Sequence, residues 1–284
     1  MYNYLSEENI KHFIQSALAE DVGPGDFTSL ATIPSNAEGK AKLLVKEEGI
    51  LAGLELALHV FKEVDANLKV EVFKKDGDFI QVGEIVLHVF GNSQSILKAE
   101  RLVLNCMQRM SGIATYTKSL CNLMLGTNAK LLDTRKTTPN FRIAEKWACK
   151  IGGAVNHRYG LFDMILIKDN HIDYSGGISS ALQNTFTYLK TNQLNLQIEI
   201  EVRSMEELRE VLEIGGVKRI LLDNFSPDQI RDAVRLVNKR FETEASGGIN
   251  EKTLRSYAET GVDYISMGAL THQVKSLDLS LKAF

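Results

Sequence analysis

The sequence predicts an α/β protein in two parts: a small α/β domain over residues 1–110 and an incomplete α/β barrel over residues 111–273. A C-terminal tail, 274–284, is expected to return to the first domain. Three observations lead there. QIEIEV (197–202), RILLDN (219–224), FETEAS (241–246) and DYISMG (263–268) are short β-rich runs, and the stretches between them carry helical periodicity. The polar residues that end these runs recur evenly: Glu201 to Asp223 is 22 residues, Asp223 to Ser246 is 23, and Ser246 to Gly268 is 22. That is one βα unit per step. Strands at 130–133 and 163–168 bring the units to six, whereas a full eight-stranded barrel takes about 250 residues.

The first domain opens with MYNYLSEENIKHFIQSALAED, which reads as an acidic amphipathic helix and not as a signal peptide. GKAKLLVKEEGILAG (39–53) reads as strand and turn, and LELALHVFKEVD as a helix. LKVEVFKKDGDFIQVGEIVLHVFG reads as strands around an Asp76-Gly77 turn. A long helix is expected from Ser93 to Leu125, interrupted near Gly112. In the barrel half, Ser204 with Glu207, and Ser226 with Pro227 and Gln229, mark helix starts. Gly215 and Gly261 mark helix stops.

Composition narrows the class. A chain 44% hydrophobic and 24% charged is ordinary for a soluble globular protein. A net charge of −3 argues against a nucleic-acid binder, whose basic surface shows in the total. No apolar run reaches the ~18 residues of a membrane span. Cys106, Cys121 and Cys149 have no CxxC spacing and read as reduced thiols, so a cytoplasmic protein is expected.

Residues 131–173 carry the chemistry. Arg135 and Lys136 follow the apolar run LLDT, Lys168 follows MILI, and His157 and Arg158 follow Gly152-Gly153. A cation at the end of a barrel strand points at the open mouth where ligands bind. Gathering several costs folding energy unless an anion joins them, so the ligand should be polyanionic. Lys168 could alternatively form a Schiff base, as in a barrel aldolase. Glu201 and Asp223, on the same rim, suit ribose hydroxyls, Mg²⁺ or positive charge at a sugar carbon; salt bridges to the neighbouring cations are the plainer reading. Ser246, Gly247, Gly248 and Gly268 end the last two strands, where barrels often bind phosphate. Arg101, in KAERLVLN, reads by itself as a helix-surface ion pair.

LLDTRKTTP, GGAVNHRYGLFDMILIKDNHI, IEIEVRSMEEL, ILLDNF, EASGGIN and GVDYISMGALTH resemble the quinolinate phosphoribosyltransferase family. EDVGPGDFTS, AERLVLNCMQRMSGIAT and LDLSLKAF extend the resemblance over nearly the whole chain. Asn140 stands where many members have Gly, and Ala154 ends a run often written as three glycines. The resemblance implies an N-terminal α/β sandwich domain followed by a seven-stranded α/β barrel. It implies formation of nicotinate mononucleotide, CO₂ and pyrophosphate from quinolinate and phosphoribosyl pyrophosphate with Mg²⁺, in a homodimer or an assembly of dimers. A related protein acting on another aromatic acid is the alternative. In the implied site Arg101 enters the neighbouring subunit and binds quinolinate. Arg135, His157, Arg158 and Lys168 line the quinolinate and phosphate pocket, with Lys136 favouring the donor and Thr137 among the substrate contacts. Glu201 and Asp223 face the ribose and Mg²⁺-pyrophosphate, with no direct protein ligand to the metal. Ser246, Gly247, Gly248 and Gly268 hold the 5′-phosphate with His272 close by. Lys136, Lys168, Glu201 and Asp223 are the implied catalytic set.

Overall fold

The computed structural model describes residues 3–284. They divide into two compact units. Asn3–Ser119, Lys136–Ala154 and Leu270–Phe284 form one; Leu120–Arg135 and Val155–Ala269 form the other.

The N-terminal part of the chain runs α1 (Glu7–Val22), α2 (Phe27–Thr32), β1 (Glu38–Val45), β2 (Gly49–Ile50), α3 (Leu54–Val64), β3 (Lys69–Val72), β4 (Phe79–Ile80), β5 (Ile85–Asn92) and α4 (Ser93–Leu123). Ser6 caps α1 by accepting the Asn9 N–H, and Asp26 caps α2 through the Ser29 N–H. β1 alternates in burial, with Ala41, Leu43 and Val45 inward, and pairs antiparallel with β5. Its other edge takes the C-terminal strand β12 (Leu279–Ala283), and β3 completes the order β12-β1-β5-β3.

Two local expectations change here. β3 pairs with β5 while β4 pairs with β2, so Asp76-Gly77 is not the turn of a simple hairpin. Asp76 instead accepts the N–H groups of Leu54 at 2.9 Å and Glu55 at 3.2 Å. The N-cap residue of α3, Gly53, has no side chain to satisfy those donors, and a carboxylate from a distant loop takes its place. Likewise α4 runs unbroken through Gly112. That glycine is needed for close approach: a Cβ there would lie 2.1 Å from the Lys275 carbonyl oxygen.

The remaining elements are β6 (Lys130–Leu132), α5 (Arg142–Ile151), β7 (Ile165–Ile167), α6 (Asp169–Ser175), α7 (Ile178–Thr191), β8 (Ile198–Val202), α8 (Met205–Ile214), β9 (Arg219–Asp223), α9 (Pro227–Val237), β10 (Glu242–Ser246), α10 (Glu251–Ala258), β11 (Tyr264–Ser266) and α11 (Ala269–His272). All six strand units read from the sequence are present, in one parallel sheet ordered β6-β11-β10-β9-β8-β7. The last strand, β11, thus returns to the first, as in a barrel. On the other edge of β6 the pairing is a single bridge, Leu132 to Val155, which stands where a seventh strand would be. Residues 156–164 then lead to β7 at the opposite edge of the sheet, and the barrel is incomplete there.

Capping follows the sequence. Ser204 accepts the Glu207 N–H, and Ser226 and Gln229 form a reciprocal capping box. Helix α10 stops at Ala258, before Gly261, which makes the turn into β11 at φ +90°. Among the described residues no helix is long and apolar enough to cross a membrane. None of the three cysteines forms a disulfide, and burial pushes the Cys106 thiol up to about 12, so it is an inert core group.

Candidate active site

Five strand ends of the barrel unit carry polar or small residues in register. Lys168 follows β7, Glu201 lies near the end of β8, Asp223 and Ser246 end β9 and β10, and Gly268 follows β11. Ser246 pairs directly with Asp223 and Glu201 with Leu221, so these groups share the C-terminal rim. The Lys168 Nζ lies 3.4 Å from Glu201 Oε2. Burial raises the Glu201 pKa; Lys168 opposes the rise and the negative Asp223 adds to it. Lys168 is half exposed and ion-paired, whereas a Schiff-base lysine is activated by desolvation or a neighbouring cation.

At the next strand ends the backbone is tightly turned. Asn224, at φ +57°, donates its N–H to the Ser246 carbonyl at 2.9 Å and its Nδ2 to Asp223 Oδ2 at 2.6 Å. A Cβ on Gly247 would lie 2.2 Å from Asn224 Oδ1, and φ there is +98°. Gly248, also left-handed at +61°, faces open space. Asn250 then caps α10 by accepting the Lys252 N–H. Backbone thus comes to the surface unobstructed beside a helix N-terminus, a suitable setting for an anion.

The loop after Val155 is held by two carboxylates. Buried Asp133, just beyond β6, accepts the His157 N–H at 2.8 Å and the Asn156 side-chain amide at 2.6 Å. Asp163 accepts the Tyr159 and Gly160 N–H groups, both at 2.8 Å. Between them Arg158 is buried and donates Nη1 to the Met164 carbonyl at 3.1 Å. Burial lowers the Arg158 pKa, the nearby positive Arg135 lowers it further, and Glu199 and Asp163 oppose both effects. Arg135, three residues beyond β6, and Arg158 therefore bring like charge together.

His157 turns inward. Its Nδ1 accepts the Arg158 N–H at 2.7 Å, and its Nε2 lies 3.0 Å from Glu199 Oε2 and 3.5 Å from Glu244 Oε2. Glu199 and Glu244 had no place in the sequence-based site, nor did Arg219, which lies 3.0 Å from Glu244, 3.3 Å from Glu242 and 3.7 Å from Glu199. The guanidinium also stacks 4.1 Å from the Tyr264 ring centroid. Burial raises Glu199 to about 6 and Glu244 to about 7, the latter also through the charge of Glu199. The sequence did hold a signal. Glu199 and Glu201, and Glu242 and Glu244, repeat at the two-residue strand period, which sends each pair to one face of its strand.

Other expected site residues belong to the unit formed by Asn3–Ser119, Lys136–Ala154 and Leu270–Phe284. Arg101 is exposed on α4. Lys136 is exposed and its carbonyl accepts the Thr271 hydroxyl at 2.7 Å; Thr137 Oγ1 accepts Arg142 Nε at 2.9 Å. The loop they begin is fixed by buried Glu145, which accepts the Thr138 N–H at 2.9 Å and Arg109 Nη2 at 3.1 Å. His272 is exposed on α11. Asn140 sits at φ +61°, a left-handed conformation that Asn tolerates.

Comparison with known proteins points the same way. Residues 26–111 match the quinolinate phosphoribosyl transferase N-terminal domain, and residues 113–282 the C-terminal domain of the same family. The chain is 48% identical over 289 aligned positions to a chloroplastic nicotinate-nucleotide pyrophosphorylase (carboxylating) of Arabidopsis thaliana, covering 96% of this chain and 82% of the relative. It is 41% identical to a probable enzyme of the same name from Bacillus subtilis, covering 96% and 92%. The crystal structure of NadC from Streptococcus pyogenes superposes with a TM-score of 0.90 at 37% identity, covering 99% of each chain. With both domain signatures, relatives matched over most of their length and a matching fold, the chain belongs to the quinolinate phosphoribosyltransferase family.

Proposed function

We propose that this protein transfers the phosphoribosyl group of phosphoribosyl pyrophosphate to quinolinate, with decarboxylation, to give nicotinate mononucleotide, CO₂ and pyrophosphate for NAD biosynthesis. The observation that carries the reading is the meeting of opposite needs on one barrel unit. Arg135 and Arg158 crowd like charge that a dianion relieves, while Glu201 and Asp223 crowd negative charge that a cationic sugar carbon relieves.

The chemistry follows from these groups. Charge-assisted hydrogen bonds contribute roughly 1.5–3 kcal/mol each, so Arg135, Arg158 and Lys168 hold the two adjacent carboxylates of quinolinate. Departure of pyrophosphate leaves oxocarbenium character at the anomeric carbon, which Glu201 and Asp223 stabilise as carboxylates do in glycosidases. The quinolinate ring nitrogen then bonds to that carbon and becomes positively charged. The bond to the 2-carboxylate breaks, its electron pair remains on the ring beside the cationic nitrogen, and a proton replaces the CO₂ lost. Ser246, Gly247, Gly248 and Gly268 are assigned to the 5′-phosphate, which the open left-handed turn and the nearby N-terminus of α10 favour.

The mutual repulsion of Glu201 and Asp223 also fits a divalent cation, held mainly by pyrophosphate oxygens and water near these two carboxylates. When bound, Mg²⁺ neutralises charge on the leaving pyrophosphate. The proposed assembly is a homodimer, with exposed Arg101 reaching quinolinate in the partner's site. The proposed setting is the cytoplasm, supported by three cysteines that form no disulfide.

The test is turnover of the purified protein with phosphoribosyl pyrophosphate, Mg²⁺ and either quinolinate or nicotinate, followed by mass spectrometry of the nucleotide. Nicotinate lacks one carboxylate and strands a buried cation at a cost of about 3–5 kcal/mol, so quinolinate should be favoured at least about a hundredfold. Equal turnover of the two acids would refute the diacid assignment.

A further inference from the structure

Barrel interiors are usually filled by layers of branched apolar side chains. Below the rim of this barrel unit, β8, β9 and β10 instead contribute Glu199, Arg219 and Glu244, with Glu199 and Glu244 no more than 1% exposed. Apolar residues of similar size would usually give equal or greater stability, so stability alone does not account for the cluster.

His157 Nε2, Glu199 and Glu244 present donor atoms within 4.8 Å of one another, a spacing that could serve a metal ion. The hydrogen bonding argues otherwise. His157 Nδ1 accepts the Arg158 N–H at 2.7 Å and must therefore carry a lone pair. The ring hydrogen is then on Nε2, which faces Glu199 Oε2 at 3.0 Å and Glu244 Oε2 at 3.5 Å without lone-pair repulsion; the contact is one of charge, since neither oxygen of Glu199 has a hydrogen-bond partner. A ring nitrogen bearing a hydrogen has no lone pair for a metal, and Arg219 already supplies the counter-charge. The cluster is built to fix an imidazole.

We infer that Glu199 and Glu244 are positioning residues: together with Arg219 they lock His157 as the Nε2–H tautomer, and through its Nδ1 they fix the backbone of Arg158 for recognition of the dicarboxylate. This rests on the quinolinate reading of the site and adds to it the part that sets acceptor affinity. Five elements contribute groups to this network. Asp133 follows β6 and holds the His157 N–H; Glu199 is on β8, Arg219 on β9 and Glu242 and Glu244 on β10; Tyr264, on β11, lies against Arg219. Arg158, whose backbone the ring holds, is assigned to quinolinate and not to the donor, so the effect should fall mainly on quinolinate.

The experiment compares full-length wild type, Glu199→Gln and Glu199→Met. Gln keeps a carbonyl oxygen facing Nε2–H and Met removes it at similar volume. Glu199→Met should raise the quinolinate KM at least about tenfold, with the donor KM within about twofold and kcat within about threefold. Glu199→Gln should stay within about threefold of wild type for all three constants. A quinolinate KM unchanged in Glu199→Met, or both KM values rising together, would overturn the inference. If Glu199→Met does not fold, ¹⁵N NMR of the wild-type imidazole, assigned with His157→Gln, decides the matter. A protonated Nε2 with an unprotonated Nδ1 supports the inference; the opposite tautomer, or rapid averaging, defeats it. If wild type shows no turnover at all, the proposed reaction fails while the NMR result still tests the tautomer.

Discussion

Lys168 Nζ stands 3.4 Å from Oε2 of Glu201, so the cation after β7 and the carboxylate near the end of β8 hold each other at the barrel rim. In the proposed reaction the pair separates by role: Lys168 would meet anionic substrate and Glu201 the developing positive charge. Glu201→Gln should therefore lower kcat about 10²-fold while leaving the quinolinate KM within about threefold. Steady-state kinetics over both substrates checks this. A change confined to KM would remove Glu201 from the chemical step.

Arg158 is the buried half of the Arg135–Arg158 pair. Arg158→Ala should raise the quinolinate KM roughly 10- to 100-fold, the range expected for a lost charge-assisted hydrogen bond. The same variant should narrow the preference for quinolinate over nicotinate, measured as a ratio of kcat/KM values. An undiminished ratio would place diacid recognition elsewhere.

Gly247 and Gly248 are both left-handed, but only Gly247 is crowded, by Asn224. Gly248→Ala should cost about 1–2 kcal/mol, the steric penalty of that conformation. Gly247→Ala must also displace the Asn224 side chain, so it should lower Tm further and weaken binding of phosphoribosyl pyrophosphate. Thermal melts with and without the donor compare the two. Equal effects would mean that the contact with Asn224 relaxes at no cost.

Burial raises Glu199 to about 6 and Glu244 to about 7 from an ordinary 4.5. Between these values the folded chain binds more protons than the unfolded one. The contribution of the pair to stability is therefore complete below 4.5 and is lost as pH rises through 6 and 7. Glu244→Gln cannot lose that proton, so between about pH 5 and pH 8 its Tm should fall less than that of wild type. Parallel profiles would show that the two carboxylates titrate normally.

Much of this arrangement is written locally in the sequence. Glu201, Asp223, Ser246 and Gly268 close β-rich runs at one βα interval, Lys168 follows the apolar run MILI, and Ser204 and Ser226 announce their helices within four residues. What was not legible depends on partners far along the chain. Asp76 looks like a turn residue until α3 is seen to lack a cap, and Gly112 looks like a helix break until Lys275 arrives beside it. His157 reads from the sequence as a pocket-lining residue. Its inward turn is set by Glu199 and Glu244, 42 and 87 positions later, whose glutamate alternation signals the strand but not the partner.

Quinolinate labelled with ¹³C at the 2-carboxylate tests the central claim most directly. Incubated with the protein, Mg²⁺ and phosphoribosyl pyrophosphate, the label should leave as CO₂, one for each nicotinate mononucleotide formed, and none should leave without the donor. Label retained in the nucleotide, or CO₂ released without phosphoribosyl pyrophosphate, would contradict the account.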